Sequence, residues 1–266
     1  MVKIIDPTYS QKRFYLAMNQ ITIVIMVKNA EATLKQTLDS LKDYTPVLVL
    51  DTGSTDKTLE IVKSYANITF FETPFDGFGK TRNYASFLAT TNWVLHLDAD
   101  EIPSQKLLEE ISQLKLDESS VYALLRDNYF WNKQMKGCSG WYPDWVVRLY
   151  NKTKTTYSLD RVHEKVIDTN LKITKLQGTL KHTPYRTLSQ MLSKMAHYSD
   201  LFVQNTPKKA NFLSPYWHGM FAFFKSYILK WGWTQGFRGF ILSKYMADTA
   251  FYKYLKLYEK GISLKD

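Results

Sequence analysis

Four short apolar runs set the limits on what this chain can fold into: ITIVIMV at 21–27, VLVL at 47–50, ITFF at 68–71 and WVLHL at 93–97. Each is rich in β-branched or aromatic residues and runs on without strict alternation, as strands do when both of their faces are covered. Helical spacing fills the gaps between them: Leu34, Leu38 and Leu41 in the first, Leu59 and Val62 in the second, and Lys80 to Leu88 in the third. Repeated strand–helix–strand units predict an α/β chain built on a mostly parallel, Rossmann-like sheet with helices on both faces. A length of 266 residues suffices for one large core, or for one core plus a smaller appendage.

After Leu114 the rhythm changes. VYALLRDNYF and WVVRLY read as further strands, RVHEKV as a short alternating piece, and LQGTLKHTPY as another strand or turn. This predicts a mixed sheet with long loops over residues 116–205, beside the parallel half at 20–115. Leu188, Met191, Leu192, Met195 and Phe202 then follow one face of a helix. Pro207 and Pro215 break the run before a last segment, 206–266, that forms a C-terminal helical extension. The single cysteine, Cys138, allows no intrachain disulfide and fits a reducing, cytoplasmic compartment. The N-terminal residues lack the apolar core of a signal peptide, and no window reads as a membrane span, so neither is expected.

The polar residues that close the apolar runs carry the chemistry. In an open α/β sheet, ligands lie beyond the carboxyl ends of the strands. Asn29 follows the first run, Asp51 the second, and Asp98, Asp100 and Glu101 the fourth. Carboxylates packed so closely repel one another unless something positive lies between them. In an extended segment Asp98 and Asp100 point the same way, so both reach one Mg²⁺ or Mn²⁺ ion that also holds a phosphate. The plainer reading of the turn after Asp51 is a helix cap, with Ser54 or Thr55 capping and Asp56 structural. GFGKTRNYA lacks the spacing of a phosphate loop, yet Lys80 and Arg82 are cations suited to a diphosphate, against the alternative of a solvated helix face.

Among the histidines, His96 and His197 read as packed, whereas His163 and His182 stand beside polar groups. Glu164 is a carboxylate suited to act as general base. Trp141, Tyr142, Asp144, Trp145 and Arg148 cluster in GCSGWYPDWVVRLY, where aromatic faces beside a carboxylate suit a sugar; Trp141 is expected exposed and Trp145 packed. The last segment carries ten Lys/Arg against three Asp/Glu, +7 of the chain's +10, interleaved with aromatics. Amphipathic helices of that composition lie on anionic membrane surfaces. A helical cap or homo-oligomer interface is the alternative, and nucleic acid has the least support.

Together, ITIVIMVKNAEATLKQTLDSL, VLVLDTGSTDKTLEIV, GKTRNYA and WVLHLDADE resemble the nucleotide-sugar half of family 2 inverting glycosyltransferases with the GT-A fold. GWYPDWVVRLY, RVHEKV, GTLKHTPY and the basic aromatic tail are similar to the bacterial branch that adds glucose in β-1,4 linkage to the lipopolysaccharide inner core. The resemblance implies a catalytic domain over 1–205 and a membrane-associating extension over 206–266. It implies that Val27, Asn29 and Glu31 border the nucleoside and that Asp51 accepts from a uracil ring. Lys80 and Arg82 would face a UDP-sugar donor. Asp98 would frame the ribose and, with Asp100 and His182, the metal. Glu164 would be the base, with Asp144 the runner-up, and Trp141, Tyr142, Arg148 and His163 would meet a phosphorylated glycolipid acceptor. The enzyme would then sit on the inner face of the cytoplasmic membrane. Ala30 departs from relatives that carry a second acid there. The rival classes are a metal-dependent nucleotidyltransferase and a non-enzymatic membrane- or nucleic-acid-binding protein.

Overall fold

A computed structural model describes residues 20–159, 164–207 and 209–263. All four apolar runs form strands: β1 (Ile21–Val27), β2 (Val47–Asp51), β3 (Ile68–Glu72) and β4 (Trp93–Asp98). They pair in parallel in the order β3-β2-β1-β4. Between them lie α1 (Leu34–Asp39), α2 (Thr58–Lys63) and α3 (Phe78–Leu88). The side chains of β1 divide by the period-two rule of a strand. Ile21, Ile23 and Ile25 pack with Leu34 and Leu38 on one face, and Val24 packs with Ala85 and Tyr150 on the other. Burial on both faces is why the run needs no polar alternation.

The sheet does not stay parallel, and the expectation of a mostly parallel sheet is corrected accordingly. Past β4 it continues through β8 (Trp145–Asn151), β6 (Ser120–Phe130), β9 (Lys172–His182) and β5 (Glu101–Pro103), with β7 (Lys133–Gln134) pairing beside β6. The β4–β8, β8–β6, β5–β9 and β6–β7 ladders are all antiparallel. A parallel crossover needs about a dozen residues, usually a helix, and the described residues between 115 and 182 supply none. The result is one mixed sheet with GT-A-like architecture. Helix α4 (Gln105–Gln113) lies against β9, capped by Ser104 Oγ, which accepts from the Leu107 amide at 3.2 Å. Glu110 on α4 accepts from the amides of Gln177 and Gly178 at 2.8 Å.

By internal contacts the chain forms two compact units, residues 1–126 with 145–182, and residues 127–144 with 183–266. The compositional boundary at 205/206 falls inside the second of these. That unit holds α5 (Leu188–Asn205), α6 (Ser214–Phe224), a π-helical segment (Lys225–Leu229), a 3₁₀ turn (Gly232–Gln235) and α7 (Phe237–Ser263). Its core gathers Phe130, Met135, Cys138, Met191, Leu242 and Trp141. Trp141, expected at the surface, is buried edge-on against Phe130 with ring centres 5.7 Å apart. Trp145 is half-buried under the Lys175 ammonium. His197 is exposed rather than packed, and the expected stripe on α5 buries Met191 but leaves Leu188 and Leu192 in solvent. Among the described residues no helix is long and apolar enough to cross a membrane.

The α4–β9 contact generates a stability test. A Cβ at Gly178 would meet the Leu107 backbone at 2.2 Å. Gly178→Ala therefore forces α4 off the sheet and lowers unfolding free energy by about 1–3 kcal/mol, the usual range for overpacking, as read by urea denaturation.

Candidate active site

The parallel ladder sets the frame. Val27 pairs with Asp51 on one side of β1, and Met26 pairs with Asp98 on the other. Two strand spacings put the tips of β2 and β4 about 10 Å apart at the carboxyl edge of the sheet. Asp98 ends β4, and a two-residue turn at Ala99 and Asp100 leads straight into β5. Thr37 Oγ1 on α1 donates to the Ala99 carbonyl at 3.0 Å, which pins that turn.

Because the chain turns after Asp98, the two aspartates do not share one extended face, and the periodicity expectation is corrected. Asp98 is held by arginines: Arg82 Nη2 donates to Oδ1 at 2.6 Å and Arg148 Nη2 to Oδ2 at 2.5 Å. The same Arg148 nitrogen donates to Glu101 Oε1 at 2.8 Å, and Arg126 approaches that oxygen at 3.4 Å. The Asp98 amide donates to Glu101 Oε2 at 3.0 Å. Arg82 Nε reaches Glu164 Oε1 at 3.3 Å. Three guanidinium groups thus face three carboxylates, with Glu101 fully buried and both Arg82 and Arg148 nearly so. Burial opposes ionisation of Asp98, but Arg148 and Arg82 outweigh it and hold the carboxyl well below its ordinary range. Asp100 stands outside this balanced set, with its Oδ2 3.6 Å from His182 Nε2. The β5–β9 register places His182 directly opposite Glu101.

A second buried layer underlies Arg82. Ser86 Oγ donates to the Arg82 carbonyl at 2.9 Å and lies 2.7 Å from His96 Nε2 and 2.8 Å from the Tyr150 hydroxyl. Burial, with Arg82 and Arg148 nearby, pushes His96 well below its usual range, so the ring is neutral, as a packed histidine should be. Tyr157 lies beneath the Arg82 guanidinium, 5.3 Å from ring centre to Cζ.

At the β2 tip, Asp51 is buried. Its Oδ2 accepts from the amides of Gly53 and Ser54 at 3.0 and 2.9 Å, and its Oδ1 from the Ser54 hydroxyl at 2.5 Å. The loops after β1 and β2 are laced together. Asn29 takes a positive φ of 48°, its amide donating to Ser54 Oγ at 2.9 Å and its side-chain oxygen accepting from the Thr55 amide at 2.7 Å. Asp56 accepts from the amides of Thr58 and Glu31, and Glu31 accepts from the Lys57 amide. Asp56 thus clasps the two loops just ahead of α2, whose N-cap position is Lys57 rather than the expected Ser54 or Thr55.

The structure therefore brings Arg82, Asp98, Asp100, Arg148, Glu164 and His182 into one neighbourhood. Lys80 is two residues and some 200° around α3 from Arg82, exposed and paired with Asp76 at 3.1 Å. Trp141, Tyr142 and Asp144 belong to the other unit, where Asn128 Nδ2 donates to Asp144 Oδ2 at 2.8 Å. His163 lies outside the described residues. Sequence reasoning passed over the roles of Glu101 and Arg126. The detectable signal was an arginine within each of two largely apolar strand patterns, VYALLRDNYF and WVVRLY, since a charge buried in a sheet requires a partner.

The carboxylate–imidazole pair at the β4 tip is Asp100 and His182, 3.6 Å apart. Both Asp98 oxygens are already committed to arginines, and among the described residues no group of three or more His, Cys, Asp or Glu is arranged to hold a metal. Two protein ligands still suit Mg²⁺ or Mn²⁺ in a site where phosphate oxygens and water complete the shell.

A parallel sheet edge continued by antiparallel strands, with acidic and basic groups at the β4 tip, defines a GT-A-like fold. The chain belongs to glycosyl transferase family 2, whose model matches residues 22–165. It is an inverting transferase of the class that uses nucleotide-sugar donors. A glycosyltransferase of Rickettsia prowazekii is 26% identical over 93% of this chain and 89% of its own length. The lipopolysaccharide core biosynthesis glycosyltransferase LpsC of Rhizobium meliloti is 26% identical over 89% of this chain and 91% of its own. The mannosyltransferase PcManGT of Pyrobaculum calidifontis, solved with GDP-Man and Mn²⁺, aligns over 96% of this chain and 83% of its own at 13% identity and a TM-score of 0.49.

The buried ion network makes two predictions. Arg148→Met leaves Glu101 with a strained partner and costs about 3–5 kcal/mol in urea unfolding, whereas Arg148→Met with Glu101→Met costs less, because removing a whole buried pair is cheaper than stranding half of it. Stability also falls as pH drops. Asp98 is depressed in the folded state, so its contribution is complete above the ordinary carboxylate value of about 4 and is lost below it. Asp98→Asn should flatten that acid limb of a stability–pH curve.

Proposed function

We propose that this protein moves a hexose, glucose in the first instance, from a UDP-sugar to a lipopolysaccharide core or related phosphorylated glycolipid, with inversion at the anomeric carbon. The observation that carries the reading is the β4 tip, where a braced Asp98, the Asp100–His182 pair and Glu164 gather at the ligand edge of the sheet. The glycolipid acceptor is supported by the likeness to LpsC along nearly the full length of both chains.

The nucleoside lies against the laced loops 28–31 and 52–56, which Asp51 and Asp56 hold in shape. Asp98 is fixed by its arginines toward the ribose. Asp100 and His182 would hold Mg²⁺ or Mn²⁺, which when bound offsets charge on a diphosphate. Glu164, held through Arg82, takes the proton from the acceptor hydroxyl. That oxygen bonds to the anomeric carbon as the bond to the diphosphate oxygen breaks on the opposite face, and the nucleoside diphosphate leaves with the electron pair. A base contributes roughly 10²–10⁴-fold in such a step.

The test is a turnover assay with UDP-glucose and a deacylated core oligosaccharide, following UDP release. Glu164→Gln should cut kcat by about 10²-fold or more while UDP-sugar affinity holds, since the amide keeps its shape and loses its basicity. Asp100→Asn should instead weaken Mn²⁺-dependent donor binding, read by calorimetry with and without the metal. Full turnover by Glu164→Gln would shift the base to Asp144, and Mn²⁺-dependent donor binding unchanged in Asp100→Asn would remove the metal assignment.

A further inference from the structure

Helix α6 and the turn that follows it pack through small residues, whereas α5 and α7 bury Met191 and Leu242 in the core of the unit. On α6 the residues turned inward are small: Pro215 and Gly219 are buried, and a Cβ at Gly219 would touch the Ala247 carbonyl of α7 at 3.4 Å. The next buried positions continue the pattern with Ser226, Gly232 and Ser243, where Ser243 Oγ donates to Ser226 Oγ at 3.0 Å. The large apolar side chains face outward. Tyr216, Trp217, Met220, Phe221 and Phe224 recur at helical spacing along the exposed stripe. Trp231, held in a left-handed conformation, and Trp233 extend it at the turn before α7, where Phe237 is 69% exposed. A helix in water buries its bulky face. Small residues at the helix contact with bulky ones outside is the pattern of helices whose surroundings are apolar.

The charge on this stretch agrees. Residues 201–247 contain no Asp or Glu and six Lys or Arg. Lys225 and Lys230 are exposed within the aromatic band itself. The rest of α7 does not belong to this face, because Lys256 pairs with Asp200 at 2.6 Å and Lys260 donates to the Val203 carbonyl at 3.1 Å, both on α5. The face is thus narrower than the 206–266 segment and runs from Phe212 to Phe240.

We propose that the α6 stripe and the Trp231–Trp233 turn form an interfacial docking surface for an anionic lipid bilayer. The aromatic side chains enter the headgroup–acyl boundary, and Lys225 and Lys230 meet lipid phosphates. No span is involved: the segment lies in the interface plane, its apolar face sunk about 5–10 Å. The proposal concerns binding alone and stands apart from the transferase reading.

Flotation of the full chain with two kinds of vesicle tests it: phosphatidylcholine alone, and equal parts phosphatidylcholine and phosphatidylglycerol. The parent should float with the anionic vesicles, with a blue-shifted tryptophan emission, and far less with the neutral ones. Trp217→Ser with Phe221→Ser should lower partitioning at least tenfold. Lys225→Glu with Lys230→Glu should abolish the preference for phosphatidylglycerol and its sensitivity to salt. All these side chains are exposed, so unchanged circular dichroism and unchanged UDP binding certify the variants. Unaltered flotation of the serine variant overturns the proposal. So does a parent that ignores both vesicles and sediments as a dimer that the serine substitutions dissociate, since the stripe is then an interface between copies.

Discussion

The carboxyl edge of the sheet is organised by one buried charge arrangement, in which Arg82 from α3 and Arg148 from β8 grip the two oxygens of Asp98 while Arg148 also reaches Glu101. Removing these ions from water costs several kcal/mol each, and their attraction repays this only when the geometry is close and the remaining polar atoms find partners. Such an arrangement is a poor source of net stability and a strict source of position. It requires α3, β4, β5 and β8 to meet in one register, and it tolerates little motion of Asp98.

That rigidity has a chemical consequence. With both Asp98 oxygens held by Arg82 and Arg148, that carboxylate is fixed in place, whereas Asp100, two residues further along, lies 3.6 Å from His182. A short apolar strand ending in three acids therefore resolves into two settings. Asp98 and Glu101 are counter-ions for arginines, and Asp100 lies beside a histidine of β9. Glu164 is tied in through Arg82, 82 residues away in the chain, so that one guanidinium couples the strand tip to the segment after β8. The neutral His96 beneath completes the picture: with two arginines close by, a proton on that ring would add a third buried cation, and Ser86 and Tyr150 meet the ring at Nε2 alone, while the buried Nδ1 has no hydrogen-bond partner among the described residues.

The parallel half was legible because β1, β2 and β4 are buried on both faces, and continuous β-branched runs have no competing reading at that length; β3, at the sheet edge, is only half-buried. The antiparallel half was not. β6 and β8 change from buried to half-buried along their length, so neither alternation nor continuity marks their partners. The Asp98–Asp100 reading failed for a local reason: the period-two rule applies only while the strand lasts, and β4 ends at Asp98. The resemblance places Arg148 at the acceptor, whereas Val147 and Leu149 on either side mark it as a strand position, and there it is buried against Asp98 and Glu101. The buried position of Trp141 could not be read from its neighbours, because it depends on Phe130 and Tyr185, eleven and forty-four residues away.

The exposed aromatic stripe is too costly to be incidental. Burying a side chain the size of Leu or Phe is worth about 1.5–3 kcal/mol, so one left roughly half exposed forgoes about 1 kcal/mol. Trp217, Phe221, Phe224, Trp231, Trp233 and Phe237 together forgo about 6 kcal/mol, a sum within the range of a whole domain's stability of about 5–15 kcal/mol. Single exposed apolar residues are ordinary on a soluble surface, but a contiguous band of this kind marks contact with something other than water. The chain could have reduced the loss by rotating α6 to bury its large side chains. The approach at Gly219 opposes this, since a Cβ there would already be in contact with the Ala247 carbonyl of α7 at 3.4 Å and a larger side chain would have to push α7 away. Backbone packing and side-chain exposure are therefore two results of one choice, in which the tight helix contact is made by small residues and the large ones are left for a partner that is itself apolar.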